Sequence, residues 1–320
     1  MLRDSPLPEW LYEAGIGEAR AALVDGDRMI EARIELDDGA PRAGAVLPAR
    51  LTDIRERKVT LESGKTALLA SIPPGMTQGA ALKVAITRAA IPETGRDKIA
   101  KAIAAEPDAE PMPGPDLRAR IAASGIPVRE LRAHEPDLLE AAGWSEALEE
   151  ATTGDIAFPG GMLRLSPTPA MALFDVDGSG PLEPLAVAAA HAVARAIVRL
   201  DIGGSIGIDF PTIAGKAARQ AVADAIDAGL PQPFERTALN GFGFLQIVRR
   251  REHASLPELL RADPVAAEAR ALLRTIERAP PAGPRRHTVS AAVHGVFDRH
   301  PEWLAELARR TGATHIFDIR

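Results

Sequence analysis

The sequence predicts a mixed α+β and α/β chain with a small β-barrel inserted near its N-terminus. Two patterns predict this. Residues 43–91 run as short β-type segments (AVLPARL, KVTLE, TALLAS, ALKVAITRA) punctuated by Gly and Pro, with SIPPGMTQG as the clearest break, which is barrel spacing. From about residue 155 the order becomes strand–helix–strand–helix–strand, which is that of an α/β layer. The acidic, Pro-rich stretch AEPDAEPMPGPD at 105–116 lies between the two and has no hydrophobic periodicity, so it reads as a linker.

The elements follow in chain order. RAALVDGDRMIEARIEL at 20–36 reads as two strands turning at Asp25-Gly26, a hairpin signal. Residues 117–150 read as helical, with breaks near Gly125-Ile126-Pro127 and at Pro136. MLRLS and AMALFDVD read as strands joined by the turn Pro167-Thr168-Pro169. Residues 184–200 form an Ala-rich helix with Pro184 in its first turn. Gly203-Gly204 leads into the short buried strand SIGIDF. A second helix spans 214–229, and TALNGFGFLQIVRR supplies another strand or hairpin. Residues 256–277 and 301–311 read as helices on either side of ERAPPAGPRR, and ATHIFDIR reads as a closing strand.

The composition narrows the function. A net charge of −6 argues against a protein that coats nucleic acid by bulk attraction, although local basic runs remain at Arg249-Arg250-Arg251 and Arg285-Arg286. The chain has no cysteine, which removes disulfides and thiolate metal sites. No stretch approaches the ~20 apolar residues of a membrane span, and MLRDSPLPEW has no apolar signal-peptide core. The expectation is a cytoplasmic protein with no membrane association.

The chemistry centres on LFDVDGSG at 173–180. An EF-hand reading puts Asp175, Asp177, Ser179 and Gly180 at the first ligand positions, but Ala186 stands where the bidentate Glu is required. Pro181 and Pro184 would fall inside that loop, and the loop follows a strand-like run rather than a helix. A catalytic reading fits better. AMALFDVD and GSIGIDF are apolar strands that each close on an aspartate, with one helix between them. A strand–helix–strand unit of that length can return the second strand beside the first. Asp175 and Asp209 would then emerge at one sheet edge, where open α/β sheets place their sites. Two convergent carboxylates suit Mg²⁺. The intervening helix carries His191, Arg195 and Arg199 on one face, as a solvated surface or as phosphate contacts.

These pieces, in this order, resemble the catalytic core of the ribonuclease E/G family. That family's Pro-Ser-Gly-Gly hairpin, Pro-Thr-Glu-Ala turn and Asp-Val-Asn-Ser-Gly loop correspond to FPGG at 158–161, PTPA at 167–170 and DVDGSG at 175–180. Its Ala-Arg helix, Asp-Leu-Gly-Gly and Ile-Val-Ile-Asp-Phe correspond to Ala194-Arg195, DIGG at 201–204 and SIGIDF at 205–210. Its Arg-Phe-Gly-Leu-Leu-Glu and following Arg-x-Arg correspond to GFGFLQIVRRR at 241–251, and ALVDGDR at 22–28 looks like its opening strand.

The resemblance implies a nuclease-like mixed sheet with flanking helices, built from ribonuclease-H-like and deoxyribonuclease-I-like subdomains, plus an inserted oligonucleotide-binding (OB-type) barrel. The implied organisation is N-terminal strands over 1–36 packing on the core, the barrel over 37–92, a linker over 93–116, and the catalytic core with C-terminal helices over 117–320. The implied activity is Mg²⁺-dependent endonucleolytic cleavage of single-stranded RNA, leaving 5′-phosphate ends. Asp175 and Asp209 would hold the metal and Asp177 would assist. Arg195, Arg199, Arg249 and Arg251, with Lys58, Lys65, Lys83 and Arg88 of the barrel, would contact RNA phosphates.

The chain also departs from the family. Asp177 stands at the family's Asn, Gln246 at its Glu, and Thr212 where a second acidic residue is frequent. Without cysteines no zinc link forms, so no zinc is expected, and the protein would be a monomer or a homo-oligomer assembled without zinc. Little chain separates the barrel from the catalytic hairpin, which implies a truncated 5′-monophosphate pocket. Residues 13–143 contain no Phe, Trp or Tyr, so the barrel lacks the aromatic platform on which such barrels stack bases. A catalytically weak or inactive RNA-binding relative is the alternative expectation.

Overall fold

The computed structural model describes residues 7–93, 98–280 and 282–320. Strands β1 (Glu9–Ala14), β2 (Glu18–Asp25) and β3 (Arg28–Leu36) form an antiparallel meander, with β2 and β3 turning tightly between Asp25 and Arg28. Strands β4 (Val46–Asp53), β5 (Lys58–Leu61), β6 (Thr66–Leu69), β7 (Ala81–Arg88) and β8 (Ala100–Ala104) close a five-stranded barrel in the order β4-β5-β6-β8-β7. Strand β8 lies inside the segment expected to be linker. Its alternating small and apolar residues (Ala100, Ala102) fill the barrel core, so the barrel runs past residue 92.

Helix α1 (Leu117–Ala122) is capped by Asp116, whose carboxylate accepts from the Ala119 amide. Strand β9 (Val128–Glu130) then adds in parallel to β1, giving the first sheet the order β3-β2-β1-β9. This strand falls in a stretch expected to be helical. Helices α2 (Leu138–Ala141) and α3 (Trp144–Thr153) follow.

The second sheet has six strands: β10 (Asp155–Phe158), β11 (Gly161–Pro167), β12 (Ala172–Gly178), β13 (Gly204–Asp209), β14 (Phe234–Arg236) and β15 (Phe244–Arg249), ordered β10-β11-β12-β13-β15-β14. Helix α4 (Leu182–Arg199) connects β12 to β13, and α5 (Lys216–Gly229) precedes β14. Alanines on α4 (Ala186, Ala189, Ala190) let it lie close against Phe174, Val176, Ile206 and Ile208 of the sheet. The same core takes in Leu11, Val24, Ala32 and Ile34 of the first sheet, so α4 is packed between two sheets.

The expected helix over 256–277 is two helices, α6 (Leu256–Ala262) and α7 (Pro264–Arg278). Pro264 cannot donate to continue the first, and Asp263 caps the second by accepting from the Ala266 amide. Strand β16 (Arg286–Val289), α8 (Ala291–Arg299), α9 (Pro301–Thr311) and β17 (Ile316–Ile319) complete a C-terminal block, in which β16 and β17 pair in parallel over a core of Leu273, Val296, Phe297 and Trp303. No helix among the described residues is long and apolar enough to cross a membrane.

Candidate carboxylate site on the open sheet face

Strands alternate their side chains between faces. On β12, Phe174 and Val176 go into the core beneath α4, so Asp175 and Asp177 belong to the other face. On β13, Ile206 and Ile208 go into the core and Asp209 is exposed. The strands pair in parallel, with Asp175 directly opposite Asp209. The two aspartates therefore sit side by side on neighbouring strands, about 4.8 Å apart across the ladder. The strand–helix–strand geometry expected from the sequence is the geometry found.

The open face carries more than these carboxylates. Arg164 of β11 is directly opposite Asp175 and is also paired with Asp155 of β10. Its guanidinium lies 3.8 Å from Asp177 and 3.8 Å from Asp155. These groups are exposed, so the attraction is screened and weak. Arg164 nevertheless places one cation among four carboxylates. Sequence reasoning passed over it, although the outward positions of GMLRLSP were readable as Met162, Arg164 and Ser166 by strict alternation.

Glycines shape the site. Gly160 turns the β10–β11 hairpin at φ +94°. A Cβ on Gly161 would meet the Asp177 carbonyl at 2.3 Å, and one on Gly178 would meet the Leu185 side chain at 2.5 Å. The hairpin thus grips the end of β12 where Asp177 sits. On β13, Gly207 leaves space in which Met171 and Phe244 approach, each 2.8 Å from where a Cβ would lie. These residues floor the open face beside Asp209.

The expected phosphate contacts fare differently. Because α4 lies on the core side of the sheet, Arg195 and Arg199 are not beside the aspartates. They line a separate cleft of about 530 Å³ with Arg28, Met29, Gly143 and Glu146. Burial, reinforced by the charges of Arg28 and Arg199, pulls the Arg195 pKa below its ordinary value. Arg199 is paired with Glu150. Arg249 sits at the far end of β15, opposite Gly204, and donates to the Ile202 carbonyl at 3.1 Å. Burial lowers its pKa against the pull of Asp201 and Glu31. Arg251 pairs with Glu258.

In the barrel, Lys58 pairs with Glu56, Lys65 donates to the Asp38 carbonyl and Lys83 to the Ala109 carbonyl, while Arg88 donates to Ile99. All four are tied into the chain's own structure. His191 is exposed on α4. Gln246, opposite Gly207, shares the open face with Asp209.

The donor set can be matched to a metal. Among the described residues no group of three or more His, Asp or Glu side chains is arranged to hold an ion by itself. Mg²⁺ does not require one. It keeps several waters and is held by one or two carboxylates together with substrate phosphate. The Asp175–Asp209 pair, all oxygen, with Asp209 exposed and Asp175 half-buried, fits that demand. It does not fit zinc, which takes four N or S donors in structural sites. Comparison with protein-family models and with curated proteins finds no match for the chain.

Proposed function

We propose that this protein is a Mg²⁺-dependent endoribonuclease that cleaves single-stranded RNA and leaves 5′-phosphate ends. The observation that carries the reading is the register of β12 and β13, which sets Asp175 opposite Asp209 on a solvent-open face. Asp175 and Asp209 would hold the ion. A magnesium ion there would supply an acidified water and neutralise charge on a phosphoryl oxygen. Asp177, two residues along β12 on the same face, would accept a proton or orient that water. Arg164 offers a charge-assisted contact to a phosphate oxygen. The closed five-stranded barrel and the mixed six-stranded sheet leave room for the subdomains that the ribonuclease E/G resemblance implies.

A second reading is supported by Arg164. A cation 3.8 Å from Asp177 can hold that carboxylate as a structural partner, which suits a catalytically inactive RNA-binding relative. One experiment separates the two. A short, labelled, A/U-rich RNA with a 5′-monophosphate is incubated with the wild type and with Asp209→Asn, in Mg²⁺ and in EDTA. The nuclease reading expects cleavage by the wild type in Mg²⁺ alone, with the variant slower by on the order of 100-fold or more. Binding without cleavage in every lane would select the second reading. Cleavage that survives in EDTA, or in the variant at the wild-type rate, would refute the site.

A further inference from the structure

Phe242 is 87% exposed, the highest value among the large hydrophobic side chains of the described residues. It lies in the tight loop that leads into β15, two residues before Phe244, and Phe244 is the direct partner of Asp209. Among the described residues no ring or guanidinium stacks on it.

This exposure does not come from a slack loop. The Asn240 carboxamide oxygen accepts from the amides of Phe242 at 2.9 Å and Phe244 at 3.0 Å. The Asn240 amide donates to the Phe244 carbonyl at 3.1 Å, and the Gly243 amide donates back to the Asn240 carbonyl at 3.3 Å. The Phe210 amide donates to the Gly243 carbonyl at 2.9 Å, pinning the loop to the residue that follows Asp209. Gly243 holds φ +91°, and a Cβ there would meet the Phe210 carbonyl at 2.2 Å, so the loop and the end of β13 are locked together. A large apolar ring is thus held in water, on a fixed mount bonded to the residue that follows Asp209.

We propose that Phe242 is a stacking platform for an unpaired nucleobase of the strand whose phosphate lies at Asp175 and Asp209. The proposal rests on the reading of those aspartates as an RNA site. Three observations select a base as the occupant. The loop that carries the ring is hydrogen-bonded to the residue that follows Asp209. Arg164 gives that face a cation for the backbone. The barrel, where stacking is otherwise expected, lies in a segment without a single aromatic residue. A base must be out of a duplex to present its face, so such a platform favours single strands. Stacking is also tolerant of base identity, so the contact positions the strand without reading its sequence. Phe242 is a positioning residue here, not a group that touches the reacting atoms.

The test uses Phe242→Ala and Phe242→Tyr, whose exposure leaves the fold intact, with unchanged thermal midpoints as the check. Binding of a short single-stranded RNA carrying one 2-aminopurine is followed in Ca²⁺, an oxygen-ligated ion that can bridge the phosphate to the aspartates, and cleavage in Mg²⁺ is followed separately. The expected result is a Kd raised roughly 5- to 100-fold by Ala, rescue by Tyr, and 2-aminopurine quenching that Ala abolishes. In cleavage, KM rises while kcat moves little. Ala binding as tightly as the wild type, or a wild type that binds no RNA, would overturn the platform. Binding that depends on Phe242 with no cleavage would leave the platform standing and remove the nuclease reading. Cleavage indifferent to Phe242 would do the reverse.

Discussion

Asp209 is exposed and Asp175 half-buried on the face away from α4, and among the described residues neither has a side-chain partner that folding depends on. Replacing either with Asn is expected to move stability by no more than about 0.5 kcal/mol in urea denaturation, while the proposed activity falls sharply. That separation marks residues kept for chemistry. Arg20 is the opposite case. It is 2% exposed and bonds Glu13 at 2.8 Å and Glu18 at 2.7 Å. Its replacement by Met would take one partner from each of two buried carboxylates, which keep Arg270, Arg274 and Arg278, and is expected to cost about 1–3 kcal/mol, measured as a shift of the urea midpoint at constant slope. A loss below about 1 kcal/mol would show that Arg270, Arg274 and Arg278 satisfy those carboxylates without Arg20.

Among the elements, the β10–β11 hairpin is sensitive to a single methyl group. In Gly161→Ala the Cβ would meet the Asp177 carbonyl, a backbone atom that cannot move alone. The expected loss is roughly 1–3 kcal/mol, with activity reduced beyond what the loss of folded protein accounts for. Denaturation and specific activity of the folded fraction measure the two effects.

The same scale shows what the sequence could express. The unit β12–α4–β13 was legible because its strands are apolar, end on Asp and are separated by one Ala-rich helix. That order fixes a parallel return and so the Asp175–Asp209 pairing. Strand β9 was not legible. Val-Arg-Glu is three residues with little burial, and it is held by the edge of β1 rather than by its own pattern. Helix α8 escaped because it is nine residues long and carries Gly295, a poor helix former, although Val293, Val296 and Phe297 keep helical spacing. The sides taken by Arg195 and Arg199 were hidden because helical spacing shows which residues share a face, not which way the face turns.

For the molecule as a whole, one charge network ties the first sheet to the C-terminal helices. Glu18 bonds Arg270 at 2.6 Å, Glu13 bonds Arg274 at 2.7 Å and Arg278 at 3.1 Å, and both of those arginines reach Asp137. Burial alone would raise the Asp137 pKa. Hydrogen bonds from Arg274 and the Glu140 amide, with the charges of Arg274 and Arg278, overcome this and hold it below the ordinary 3.8. The stabilisation is therefore present above that pH and is lost as pH falls through the depressed folded value. Stability should drop as pH falls below about 4 and on through the depressed folded value, and Asp137→Asn should flatten part of that drop.

The central claim is that neighbouring strands bring two aspartates together as a metal-dependent nuclease site. The most direct test is the rate of single-stranded RNA cleavage against Mg²⁺ concentration for the wild type, Asp175→Asn and Asp209→Asn. The account predicts a saturable rise in the wild type, its loss in both variants, and products bearing 5′-phosphates. A variant that keeps the wild-type curve would contradict it.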